Sequence, residues 1–221
     1  MRTRFRDRTE AGKLLAEKLS SYANQSNVLV LALPRGGVPV AAEVARKLDA
    51  PLDVFVVRKL GLPGYPELAM GAIATGGVRV LNRDVVDSRR VSHEVIHAVT
   101  ANEQRELERR ERSYRDDLPP PDVHGKTVII VDDGIATGST MMAAVAALRQ
   151  LDVARIVVAA PTIAPTTYLE LRDAADEIAA VLMPADFHGV GQSYADFSQT
   201  TDEEVRRILA RHNHRAATVP A

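Results

Sequence analysis

The sequence has no cysteine among its 221 residues. Disulfides, thiolate zinc sites and cysteine nucleophiles are therefore excluded, and the composition suits a reducing compartment. No apolar run approaches the ~20 residues that span a bilayer, so no membrane partner is expected. The basic start, Met1-Arg-Thr-Arg-Phe-Arg-Asp-Arg8, is followed by polar and charged residues. It lacks the apolar segment of a secretory signal, and a cytoplasmic location is the expectation. Charge of one sign is not in excess either: 28 Lys and Arg face 29 Asp and Glu, a net of −1. That leaves no global basic field to draw the chain to nucleic acid. A Gly-Lys-Ser/Thr phosphate loop and a Gly-x-Gly-x-x-Gly fingerprint are both missing.

What is present is ordinary globular composition, 46% hydrophobic and 26% charged, and enough chain for one sizeable α/β domain. Short apolar runs alternate with helical patterns. The runs are Val28–Leu33, Leu52–Val57, Val128–Val131, Ile156–Ala160 and Ile178–Met183. Helical periodicity covers about Glu10–Ala23, Val38–Leu48 and Ser139–Leu151, and Pro165 suits the first turn of another helix. This alternation predicts a mostly parallel sheet of about five core strands, flanked by helices and joined by right-handed crossovers. Ligands in such sheets bind beyond the carboxyl ends of the strands.

Two segments break the rhythm. Leu60–Leu81 is rich in Gly and Pro and reads as a long loop, with Ala69–Ala74 and Val78–Leu81 able to pair as a hairpin across Thr75-Gly76-Gly77. Arg89–Arg115 reads as one long helix whose arginines alternate with Glu94, Glu103, Glu106, Glu108 and Glu111, an ion-paired, solvated face rather than a nucleic-acid surface. Residues 1–211 are read as a single domain and 212–221 as a disordered tail. Thr201-Asp-Glu-Glu204 reads as a capping box for a C-terminal helix.

Val128-Ile-Ile-Val-Asp-Asp-Gly-Ile-Ala-Thr-Gly-Ser-Thr140 carries the chemistry. An apolar strand delivers Asp132 and Asp133 to its tip, a loop of small residues follows, and a helix begins at once. Loop amides and a helix N-terminus form an anion site. Thr137, Ser139 and Thr140 add hydroxyls, and Gly134 and Gly138 allow close backbone approach. Two carboxylates would repel a bare phosphate. They suit sugar hydroxyls or a Mg²⁺ ion, so a ribose 5-phosphate satisfies the whole stretch.

This stretch resembles the phosphoribosyl-pyrophosphate signature of type I phosphoribosyltransferases. Pro34-Arg35-Gly36-Gly37 after the first strand, Arg58-Lys59 after the second and the 58–81 region agree with that family in order and placement. The resemblance spans about Val28–Met183. It is nearest to bacterial phosphoribosyltransferases of unassigned substrate, through Arg58-Lys59-Leu60-Gly61 with Pro66-Glu67 and through Asp186-Phe187-His188 to Asp196-Phe197-Ser198-Gln199-Thr200-Thr201. It implies the type I fold, with a flexible loop over about 58–81 and a hood over about 184–201. It also implies transfer of a phosphoribosyl group from phosphoribosyl pyrophosphate to a small-molecule base, with Mg²⁺ as cofactor and a homodimer as assembly.

By the same resemblance, Asp132 and Asp133 hold the ribose hydroxyls directly or with Mg²⁺, and Ala136, Thr137, Gly138, Ser139 and Thr140 cradle the 5-phosphate. Arg35, Gly36 and Gly37 meet pyrophosphate, in a loop that in the family sometimes contains a cis peptide. Lys59, with Arg58, neutralises the leaving pyrophosphate. Hypoxanthine-type relatives carry an aspartate where this chain has Ala136, so a general base must come from elsewhere, and Glu67 is the candidate. Phe187, Tyr194 and Phe197 either stack on the acceptor or seal a subcore. A regulator that senses phosphoribosyl pyrophosphate without transferring it is the alternative function.

One motif points elsewhere. His93-Glu94-Val95-Ile96-His97 matches the zincin pattern, but no third ligand follows at a recognised spacing, and two solvated histidines on a charged helix are expected.

Overall fold

A computed structural model describes residues 4–115 and 118–216. Its centre is a five-stranded parallel sheet in the order β2-β1-β6-β7-β8. The strands are β1 (Val28–Ala32), β2 (Leu52–Val54), β6 (Thr127–Val131), β7 (Arg155–Thr162) and β8 (Glu177–Leu182). All five apolar runs thus become sheet strands, β1 and β6 being buried along their whole lengths. Runs that are apolar on both faces need cover on both, and they receive it. Val28, Val30 and Ala32 of β1 point into one core with α1 (Arg8–Lys18), α2 (Gly37–Leu48) and α7 (Asp202–Ala216). Leu29 and Leu31 point into the other core, with α5 (Ser139–Arg149) and α6 (Pro165–Ala174).

Sheet order locates the functional edge. From β1 the chain crosses through α2 to β2 on one side; from β6 it crosses through α5 to β7 on the other. The crevice between neighbouring strands whose connections depart in opposite directions is where open α/β sheets bind ligands. Here the neighbours are β1 and β6, in register from Val28↔Thr127 to Ala32↔Val131. They end level, and Leu33 N–H donates to the Val131 carbonyl at 2.8 Å. The Pro34–Gly37 and Asp132–Gly134 segments therefore emerge side by side.

The 58–81 region differs from the expected loop. The hairpin across Thr75-Gly76-Gly77 is present, with Gly76 and Gly77 at φ +85° and +75°. A third strand joins it, making the antiparallel meander β3 (Val57–Leu62), β4 (Tyr65–Ala74) and β5 (Val78–Leu81). Gly61 and Pro63 read as breakers in sequence. In the fold Gly61 lies at a register shift, close against the Pro66 backbone, and Pro63 falls in the turn after β3.

The helix predicted from Arg89 begins four residues later. The chain forms a short α3 (Arg83–Ser88), then α4 (His93–Arg115), with Arg90 at φ +50° between them. The Ser92 hydroxyl accepts from Val95 N–H at 3.4 Å and marks the new start. Pro165 occupies the first turn of α6, and the Thr201 hydroxyl caps α7 by accepting from Glu204 N–H at 3.1 Å. α7 runs on through residues 212–216, with a His212 ring nitrogen 3.0 Å from the Ala50 carbonyl. Residues 217–221 lie outside the described residues. No described helix is long and apolar enough to cross a membrane.

Candidate active site

The acidic pair stands at the tip of β6. Asp133 N–H donates to Asp132 Oδ1 at 2.8 Å, and the two carboxyl groups lie close enough to interact. A Cβ on Gly36 would run into the Asp133 carboxylate, and one on Gly37 would lie 2.6 Å from the Val131 carbonyl. Only glycine fits at both places, so the Pro34–Gly37 loop is packed directly on the acidic pair. Its Pro34–Arg35 peptide is cis.

Past the aspartates, Ile135 N–H donates to Thr162 O and Ala164 N–H donates to Ile135 O, each at 2.9 Å. These bonds pin the loop to the end of β7. Gly138, at φ +71°, caps α5 without a side chain. A Cβ there would lie 2.5 Å from the Thr167 methyl, while the Thr167 hydroxyl donates to the Ala136 carbonyl at 2.5 Å. First-turn amides of a helix have no intrahelical acceptor. With a glycine cap, those of α5 remain directed at the space before it. Thr137, Ser139 and Thr140 are exposed around this opening, with Thr137 Oγ1 and Ser139 Oγ 3.3 Å apart.

A residue absent from the sequence reading completes the site. Arg8, in the first turn of α1, places both Nε and an NH2 nitrogen 2.8 Å from Asp133 Oδ2 and donates to the Ser198 carbonyl at 2.6 Å. Its guanidinium lies 4.1 Å from the Phe197 ring centroid. The pair is nearly enclosed, with side-chain exposures of 12% and 13%. Arg8 meets a single Asp133 oxygen, Oδ2. The Tyr194 hydroxyl donates to the Asp133 carbonyl at 2.5 Å, and burial pushes that phenol's pKa upward. Among the hood aromatics, Tyr194 seals a small core with Phe5 and Ala11, whereas Phe197 keeps 39% of its surface exposed and stacks beside Tyr194. No chain-local pattern marks Arg8, because its contact spans 125 residues.

The remaining predicted residues are placed less tightly. Arg35 is half-buried, 3.8 Å from Asp202 at the start of α7. Tyr114 of α4 donates to the same Asp202 at 2.7 Å, and burial followed by that contact raises its pKa to about 12. Arg58 and Lys59 fall on opposite faces of β3. Arg58 turns to α4 and pairs with Glu103 at 2.7 Å. Lys59 is exposed and has no ion pair among the described residues. Glu67 is exposed near the far end of the β3–β4 hairpin, with no hydrogen bond or ion pair to the acidic pair among the described residues. His93 and His97 sit exposed in the first turns of α4, away from the strand tips. As expected of a solvated helix, the α4 glutamates include ion-paired ones, Glu106 bonding both Arg109 and Arg110.

Burial, and then the charge of Asp133, raise the Asp132 pKa well above the usual carboxylate range. The folded, ligand-free chain therefore holds a proton that the unfolded chain releases near pH ~4. Since the native state binds more protons there, stability falls as pH rises above that value. Urea midpoints measured across pH should show this decline, and Asp132→Asn should flatten it. Equal slopes in both proteins would refute the assignment.

A parallel sheet covered on both faces, with an acidic pair and a small-residue loop at its switch point, is the phosphoribosyltransferase arrangement. The chain belongs to that family: the phosphoribosyl transferase domain model matches residues 7–190. Over 207 residues it is 45% identical to a Mycobacterium tuberculosis H37Rv protein named "Putative phosphoribosyl transferase Rv0571c", and equally so to its counterpart in strain CDC 1551. That alignment covers 94% of this chain and 46% of each relative, so the chain spans about half the length of the curated relatives it matches. The crystal structure of the Thermus thermophilus protein TT1426 superposes with a TM-score of 0.85 at 43% identity, covering 94% of this chain and 98% of that one.

Proposed function

We propose that the protein transfers the 5-phosphoribosyl group from phosphoribosyl pyrophosphate to a nitrogenous base, releasing pyrophosphate. The observation that carries this reading is the convergence of three parts on one crevice: the acidic pair, the Gly36–Gly37 approach and the uncapped start of α5. The α5 amides, with Thr137, Ser139 and Thr140, would hold the 5-phosphate. Asp132 and Asp133 would accept from the ribose hydroxyls. The Arg35–Gly37 loop would face the pyrophosphate.

Mg²⁺ fits this donor set as a shared ligand. Asp132 and Asp133 supply carboxylate oxygens too few for an all-protein cage, and Mg²⁺ is commonly held by one or two carboxylates together with substrate phosphates. Bound there, it would neutralise developing phosphate charge. Lys59, unpaired on β3, would add a cation to the departing pyrophosphate once the meander moves over the site. Glu67 would serve as base in the same closed state. The reading includes a cytoplasmic homodimer.

The decisive assay incubates the protein with phosphoribosyl pyrophosphate, Mg²⁺ and a panel of purines, pyrimidines and pyridine carboxylates, and measures pyrophosphate release. Release that depends on a base supports transfer. Tight binding without turnover for every acceptor supports the sensing alternative instead. Lys59→Ala is expected to lower kcat by roughly 10–100-fold, with a smaller change in KM. An unchanged kcat would remove Lys59 from the machinery.

A further inference from the structure

A second concave surface lies away from the acidic pair. It is a groove of about 720 Å³ between β5, α3, the start of α4 and the end of α5, within the size range of small-molecule sites. Arg79, Arg83 and Arg90 stand on its rim. All three are exposed, and none has an ion pair or side-chain hydrogen bond among the described residues. Arg112, Arg172, Arg206 and Arg207 are likewise exposed and unpaired among the described residues; what sets Arg79, Arg83 and Arg90 apart is that all three border one groove. Three unpaired guanidiniums around one hollow form a local positive field in a chain of net charge −1. Asp87 is the one carboxylate in the lining.

The groove also has an apolar floor, made by Val86, Val91 and the buried Ile96. A bare anion would leave that floor wet. An anion with a flat or apolar body would satisfy both parts, since guanidinium planes bind phosphate in bidentate fashion and stack on rings.

We propose that this groove is a second ligand site, which takes a phosphorylated small molecule of the nucleotide class. Strand addition by a second copy is disfavoured at the adjoining sheet edge. β5 is only four residues long and carries exposed Arg79, both devices that blunt edge pairing. Gln150, which caps α5, lies in the groove wall. A ligand there would touch the opposite end of the helix whose first turn forms the phosphate loop.

The test titrates the full chain with ADP, and separately with inorganic phosphate, by calorimetry at low and moderate salt. Three proteins are compared: the natural sequence, Arg83→Ser with Arg90→Ser, and Asp132→Asn with Asp133→Asn. ADP binding should weaken at least tenfold in the arginine variant, persist in the aspartate variant, and exceed that of inorganic phosphate. Both arginines are exposed, so thermal melts should confirm an intact fold. Equal ADP affinity in the natural and arginine-variant proteins would overturn the proposal, as would no ADP binding at all. Phosphate binding as tight as ADP would remove the apolar half of it. A changed sedimentation coefficient in the arginine variant, with ADP affinity untouched, would make the groove a contact between copies and overturn the proposal as well.

Discussion

Asp132→Asn with Asp133→Asn is expected to weaken phosphoribosyl pyrophosphate binding about 100-fold, or ~2.7 kcal/mol. Each asparagine keeps the shape of the carboxylate while replacing one acceptor oxygen with a donor and removing the charge. Charge-assisted hydrogen bonds contribute ~1.5–3 kcal/mol each, so losing them toward a diol and its cation accounts for an effect of this size. The double variant also leaves Arg8 without its carboxylate partner. Asp132→Asn alone is the cleaner probe, because the Arg8–Asp133 pair at 2.8 Å stays intact. It should still cost at least tenfold. A direct titration that found both variants binding like the natural protein would show that the carboxylates do not meet the sugar.

Arg8→Ala is expected to lower stability by ~3 kcal/mol. Removing one partner of an enclosed ion pair leaves the other charge uncompensated and costs ~3–5 kcal/mol; partial water access at 12% and 13% exposure places the value at the lower end. The guanidinium also stacks on Phe197, 4.1 Å from its centroid, a contact contributing ~0.5–1 kcal/mol at exposed sites. For a chain of this length each kcal/mol moves Tm by ~2–4 °C, so a drop of roughly 6–12 °C should be seen by calorimetry. A double-mutant cycle separates the causes. If the uncompensated carboxylate is responsible, Arg8→Ala made in an Asp133→Asn background should cost much less. An equal cost in both backgrounds would mean that Arg8 acts through packing on Phe197 and Ser198, and that Asp133 is indifferent to it.

The reach of sequence reasoning differed between parts of this molecule for definite reasons. Periodicity and punctuation are local, and what they govern was legible. The five core strands, the Pro165 start of α6, the Thr201 cap of α7 and the hairpin at Thr75-Gly76-Gly77 all sit where short-range patterns put them. The β6–loop–α5 arrangement was legible for the same reason, since strand, acidic pair, small residues and helix start are consecutive. Where local signals conflicted, they misled. Gly61 and Pro63 suggested a loop within what is a three-stranded meander, and the arginines at 89 and 90 suggested a helix that starts only after Ser92.

By itself, then, the sequence determined the class of fold, the strand that carries the acids and the helix that starts right after the small-residue loop, because each depends on neighbours within a dozen residues. Only the tertiary structure decided which charges are spoken for. It gave Asp133 to Arg8 across 125 residues and Arg58 to Glu103, and it left Lys59 and the three groove arginines unpaired among the described residues. Side-chain charges act through space at a few ångströms, and the chain alone does not state which of its distant segments will lie that close.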